Sequence, residues 1–116
     1  MEGLSIKNTT KGKVPSLPFL QIKNKILGNS YELSLVFVGK KRMRRINRET
    51  RGKDSSTNIL SFELSKKSGE IFICPSHLKG FNIGFLLIHG LFHLKGMAHG
   101  STMERAEEKV RREFGI

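Results

Sequence analysis

The sequence predicts an α+β domain, a small mixed β-sheet with helices packed on it, including a histidine-bearing metal-binding helix and a C-terminal helix. Three observations carry that expectation. Short runs of β-formers at 31–38, 58–64 and 70–74 alternate with stretches of helical periodicity. The joints between them are short and rich in Gly, Ser and Lys. The order reads α-β-α-β-β-α-α, with a further first strand expected around "LSIKN". At 116 residues, the chain has the length of one domain over 1–116.

Each element has its own signature. "PSLPFLQIKNKILG" reads as a helix capped by Ser16, with Phe19, Ile22, Ile26 and Leu27 on one face and Gly28 at its end. "YELSLVFV" alternates as a strand does. "KKRMRRINRE" (40–49) is helical, with Met43 and Ile46 inward and nearly everything else basic, and "RGKDSST" (51–57) is a polar loop. "NILSFEL" and "EIFIC" are strands joined by "SKKSG", a hairpin loop. After the short turn "PSHLKGF", Asn82 caps an apolar helix from Ile83 to Lys95 that stops at Gly96. The last helix opens with a capping box from Ser101 to Glu104. Its inner face is Met103, Ala106, Val110 and Phe114, and Glu107–Arg111 and Glu108–Arg112 are expected as outer pairs.

Composition narrows the function classes. Lys and Arg total 21 against 10 Asp and Glu, a net charge of +11, which favours polyanionic partners and nucleic acid first. No apolar run reaches the length of a membrane span, and "MEGLSIKNTTKGK" lacks the apolar core of a signal peptide. One cysteine, Cys74, excludes an internal disulfide and fits a reducing cytoplasm. It reads as a small buried hydrophobe.

The chemistry concentrates in "HGLFHLKGMAHG", which holds His89, His93 and His99. Residues four apart lie on one helix face, so His89 and His93 can present two ring nitrogens to one ion. Gly96 can end the helix in a left-handed conformation and let the chain return His99 to the same point. Three imidazoles with an open fourth position make the layout of a catalytic zinc site, although nickel and copper also favour imidazole. The fourth histidine, His77, lies outside this pattern and reads as a surface residue. The spacing also matches the extended metzincin peptidase motif, H-E-x-x-H-x-x-G-x-x-H. The general-base glutamate of that motif is Gly90 here, so the ligands are present and the peptidase chemistry is not.

Two more stretches, taken with the histidines, resemble a known family. "IN-RETRGKDSSTNILSF" (46–62), "SGEIFIC" (68–74) and "HGLFHLKGMAHG" are similar, in that order, to the signatures of the YbeY family of bacterial metal-dependent endoribonucleases. The family pattern is N-x-x-aromatic-R, T-[DN]-V-L-S-F, G-D-[IL] and H-G-x-L-H-L-x-G-Y-D-H. The resemblance implies one zinc ion on His89, His93 and His99, and a functional arginine at Arg51 beside the cleft. It implies cleavage of single-stranded RNA in maturation of the 16S ribosomal RNA 3′ end and in ribosome quality control. The implied partners are ribosomal RNA and the small ribosomal subunit or its associated proteins, in the cytoplasm, with the protein a monomer or weak dimer. Asn58 and Ser61 match the T-N-x-L-S-F segment, where their side chains line the site or, as readily, serve the strand end.

The chain departs from that pattern at several points. The aromatic before the arginine is Thr50, the proline is Ser56, Gly-Asp is Gly69-Glu70, and the Asp before the third histidine is Ala98. That last change removes a group that could orient a metal ligand. Only seven residues separate Cys74 from Asn82, where the family usually has an additional helix.

A mechanism can still be assembled. Metal-activated water is the first candidate nucleophile or base, with Glu70 a weaker candidate for proton acceptor. Arg51 would hold the phosphate through its planar fork. Lys40, Lys41, Arg42, Arg44, Arg45, Arg48 and Lys53 would supply backbone contacts that position RNA without reading its bases. Few aromatics interleave with these charges, so base stacking is not evident from sequence. The competing readings are a non-catalytic, zinc-stabilised ribosome- or RNA-binding assembly factor, and a metallopeptidase remnant that Gly90 disfavours.

Overall fold

A four-stranded mixed sheet forms the centre of the protein, in the order β1-β2-β4-β3. The computed structural model describes residues 3–116. The strands are β1 (Leu4–Asn8), β2 (Glu32–Phe37), β3 (Ile59–Ser65) and β4 (Ser68–Ile73). The helices are α1 (Phe19–Leu27), α2 (Lys40–Arg51), α3 (Ile83–Leu94) and α4 (Ser101–Phe114). β2 runs parallel to both β1 and β4, and β3 pairs antiparallel to β4 as an edge strand. This is the α+β architecture that the order of elements predicts, including the first strand at "LSIKN".

Alternation along the central strands sorts side chains onto two faces. Leu33, Leu35, Phe37, Ile71 and Ile73 join the core formed with α1, α3 and α4. Val36, Val38, Leu60, Phe72 and Cys74 face the other way and bury Met43 of α2. The sheet is thus covered on both sides, by α2 alone on one and by three helices on the other. Cys74 is fully buried and free, as expected of a small hydrophobe.

Some local expectations need correction. Ser16 does not cap α1. The helix begins at Phe19 after Pro18, whose fixed φ suits that position, with no side-chain cap. Ser101 is the first helical residue of α4 and not its cap, which is Gly100. The Glu104 amide donates to the Gly100 carbonyl instead of to a serine hydroxyl. α2 continues to Arg51, two residues past its expected end, and closes on Gly52 in a left-handed conformation (φ 69°). The hairpin loop is tighter than expected, since only Lys66 and Lys67 lie between β3 and β4. Lys23 is fully buried in α1, where its Nζ donates to the carbonyls of Tyr31 (2.7 Å) and Gly28 (3.1 Å). Among the described residues, no helix is long and apolar enough to cross a membrane.

Candidate metal centre and cleft

α3 is held at both ends by the devices its sequence offers. Asn82 accepts a hydrogen bond from the Phe85 amide at 2.7 Å, the expected cap. At the other end Gly96 takes φ 98°, its amide donates to the His93 carbonyl, and the Met97 amide donates to the Phe92 carbonyl. That pair of bonds is a Schellman closure, which only a residue tolerant of positive φ permits. The reversal returns the chain toward α3 and delivers His99.

The three histidines meet. One nitrogen from each lies within 4.8 Å of the others, and the Nε2 atoms of His89 and His93 are 3.1 Å apart. His89 donates its Nδ1–H to Glu107 Oε2 at 2.9 Å, which leaves its Nε2 lone pair turned toward the other two rings. Burial pushes the His93 imidazole below its usual range, and the neighbouring His89 and His99 push it the same way. Three imidazoles with lone pairs converging on one point, one fixed in tautomer by a carboxylate, are the donor set of a divalent transition metal.

Glu107 is the residue that sequence reading misplaced. It is only 5% exposed and turns inward to His89, so it forms no outer pair with Arg111. The signal was available: 103, 107, 110 and 114 repeat at alternating steps of four and three, which places Glu107 on the apolar stripe. A carboxylate on that stripe needs a buried partner. Ala98 is exposed, and the carboxylate that bonds a histidine of the cluster comes from α4. The second expected pair, Glu108 with Arg112, is present on the solvent face.

The cleft beside the histidines has a volume of about 430 Å³, and His89, His93 and His99 line it. Arg51 of α2 and residues 57–62, which lead into β3, complete the lining. Arg51 therefore reaches the site from the last turn of α2 and not from a loop. Asn47 fixes that corner. It is buried, donates from Nδ2 to the Ser55 carbonyl at 2.9 Å, and accepts at its backbone carbonyl from the Lys53 amide. Asn58 lines the cleft and also donates to the Leu78 carbonyl at 3.4 Å, while Ser61 lines the cleft near Gly90.

Other candidates lie elsewhere. Glu70 accepts from Ser34 Oγ at 3.1 Å on the α2 side of the sheet and is not among the lining residues, so it is no proton acceptor for this cleft. Lys40, Lys41, Arg42, Arg44, Arg45, Arg48 and Lys53 are all exposed outside the cleft. Arg44 makes a bidentate pair with Asp54 (2.8 and 2.9 Å), and Arg48 lies 3.6 Å from the same carboxylate. The hydrogen bond from Arg44 holds the Asp54 carboxyl below its ordinary value. His77 is half-buried in a 3₁₀ turn, Pro75–His77, away from the cluster.

Comparison with known proteins agrees with this geometry. The family model described as "Endoribonuclease YbeY" matches residues 7–114. The chain belongs to the YbeY family. Among curated proteins named Endoribonuclease YbeY, that of Alkaliphilus metalliredigens is 35% identical, over 74% of this chain and 72% of its own. The Bdellovibrio bacteriovorus protein is 37% identical, over 73% of this chain and 62% of its own. The Lactobacillus gasseri protein is 29% identical over 96% of this chain and 84% of its own. A solution structure of a Thermotoga maritima protein shares the fold, with a TM-score of 0.64 at 23% identity, covering 97% of this chain and 89% of that one. In this YbeY member, the stretch between β4 and α3 is a single 3₁₀ turn followed by a tight turn.

Proposed function

We propose that this protein is a zinc-dependent endoribonuclease that cuts single-stranded ribosomal RNA, acting in maturation of the 16S 3′ end and in ribosome quality control. Its membership of a family named for endoribonuclease activity supports the enzyme class. The observation that carries the reading is one cleft lined by three converging imidazoles and by Arg51. That combination suits a phosphodiester, whose oxygens accept from a fork of N–H donors while charge develops during cleavage.

His89, His93 and His99 would hold the ion, which when bound supplies a Lewis acid for a phosphoryl oxygen and lowers the pKa of water. The chain's own groups do the rest. Glu107 keeps the proton on His89 Nδ1, so that Nε2 stays a lone-pair donor. Arg51 grips the phosphate and stabilises its growing charge. Asn47 positions Arg51 by tying the 53–55 corner to α2. Asn58, just before β3, and Ser61 within it offer polar contacts. The exposed cations of α2 hold the RNA backbone on its way to the cleft, in the cytoplasm and on the small subunit, with the protein a monomer or weak dimer. The non-catalytic assembly-factor reading draws on Ala98 and on the short stretch between β4 and α3; the carboxylate of Glu107 on His89 supports the nuclease reading against it.

The test is zinc content together with cleavage of a ribosomal RNA fragment by wild type, His93→Ala and Arg51→Ala. Expected are stoichiometric zinc in wild type and in Arg51→Ala, zinc lost in His93→Ala, and cleavage lost in both variants. Zinc binding with no cleavage above the Arg51→Ala background would replace the nuclease by the assembly factor.

A further inference from the structure

We propose that Phe81 is a base-stacking subsite for single-stranded RNA, the outermost plane of an aromatic column that leads to the metal centre. The proposal rests on the nuclease reading and extends it to how the strand is held. Phe81 and Phe85 stack with centroids 5.0 Å apart and planes 12° apart. Phe85 in turn stacks on His89, at 6.0 Å and 13°. Three near-parallel rings thus run along one side of α3 and finish on a proposed metal ligand.

The outer end of the column is open. Phe81 is 48% exposed, one of three large hydrophobics so exposed among the described residues. The other two, Ile6 and Leu64, are aliphatic side chains on strands β1 and β3. A tight turn presents Phe81: Lys79 and Gly80 both take positive φ (55° and 85°), and the Phe81 amide donates to the Leu78 carbonyl. The conformation at Lys79 is one a non-glycine residue adopts at a cost.

Charge selects the occupant. The Arg111 guanidinium lies over the Phe85 ring, 5.0 Å from its centroid, and Lys79 is exposed two residues before Phe81. A planar ring with cations beside it matches a nucleotide, whose base has a π-face and whose phosphate is an anion. A base on Phe81 belongs to a nucleotide a few steps along the strand from the phosphate in the cleft. Only an unpaired base can leave its neighbours to stack there, so the subsite selects single strands and tolerates any base.

The chain contains no tryptophan, so Phe81→Trp installs a unique reporter on the column. The probes are a cleavage-resistant 2′-deoxy single strand, the same strand made abasic throughout, and its duplex, each added to the zinc-loaded protein. Expected is saturable quenching by the single strand only. Phe81→Ala should bind a single-stranded ribosomal RNA fragment roughly 5- to 100-fold more weakly. That loss should appear in KM, with kcat, zinc content and Tm unchanged. Quenching by the abasic strand equal to that by the intact strand, or no quenching at all, would overturn the proposal. So would Phe81→Ala binding RNA like wild type while losing self-association, which would make Phe81 a protein contact. Cleavage by wild type without quenching sinks the subsite alone. Quenching without any cleavage sinks the nuclease reading and leaves the subsite standing.

Discussion

Removing Glu107 separates orienting a ligand from holding the fold together, because the two roles predict opposite responses. Its carboxylate is almost fully buried, and Nδ1 of His89 lies 2.9 Å away. With a metal ion on His89, that carboxylate would fix the tautomer and raise the basicity of the ring, a contribution of about 10- to 100-fold in metal affinity. This corresponds to about 1.4–2.7 kcal/mol. Glu107→Gln keeps the shape and an acceptor for Nδ1–H, so the expected loss is near the tenfold end. Glu107→Ala removes the acceptor and should approach a hundredfold. Without metal the ledger reverses: a carboxylate costs free energy to bury, and Glu107→Gln should leave the chelator-treated protein within about 1 kcal/mol of wild type, or above it. The assay is competition for zinc against a chromogenic chelator, paired with thermal unfolding in excess chelator. Wild-type zinc affinity in Glu107→Ala would refute the reasoning. A fall in metal-free stability as large as the fall in affinity would make Glu107 a packing residue only.

Three further outcomes are expected. Arg51→Ala should lower kcat by about 10²–10³, the usual cost of losing a donor to developing charge, and Arg51→Lys should recover little of it because the ammonium lacks the fork; full recovery by Lys in a single-turnover assay would reduce Arg51 to a point charge. Neutralising Lys40, Arg42 and Arg45 together should weaken RNA binding without changing kcat, and should reduce the slope of log affinity against log salt by about 2, at about 0.7 per lost phosphate contact. Arg44 and Arg48 are left out because Asp54 already engages them; an unchanged slope would show that α2 does not touch the RNA. Gly90→Ala should lower stability by about 1–2 kcal/mol in chemical denaturation, since its Cβ would come within 2.9 Å of Ile59 Cδ1 and Ser61 Oγ and the overpacking outweighs the gain in helix propensity. A stabilised Gly90→Ala would mean that α3 can lift from β3 freely.

Much of this was legible in the sequence, and the reasons differ from element to element. Strands β2 and β4 and helix α3 carry signals in adjacent residues: alternation, a capping Asn82 and a terminating Gly96. The histidine cluster was legible for the same cause, because its geometry follows from helix spacing and one glycine. What failed turned on where an element begins or on contacts made outside it. Ser16 and Ser101 are good caps by type, but Pro18 and Gly100 sit where the chain enters those helices. Glu70 looked available until the sheet turned it toward Ser34 and α2. The cations of α2 read as one block, yet a single aspartate beyond the helix engages two of them. The aromatic column was invisible because Phe81 lies before the helix and joins the 85–89 row only through the turn at Lys79.

The residue that decides the chemistry is one with no side chain. The spacing of His89, His93, Gly96 and His99 would serve a peptidase if position 90 carried a glutamate. Here α3 lies so close to β3 that even a methyl at 90 meets Ile59, Ser61 and Ile71 at 2.9, 2.9 and 3.1 Å. A glutamate at that position would have to displace the side chains of Ile59 and Ser61. The same close approach sets Ser61 of β3 against α3, and Arg51, next to the corner held by Asn47, lines the same cleft. A helix that rode higher on the sheet would have room for a glutamate side chain in place of Gly90, but its histidines would stand away from β3 and Arg51.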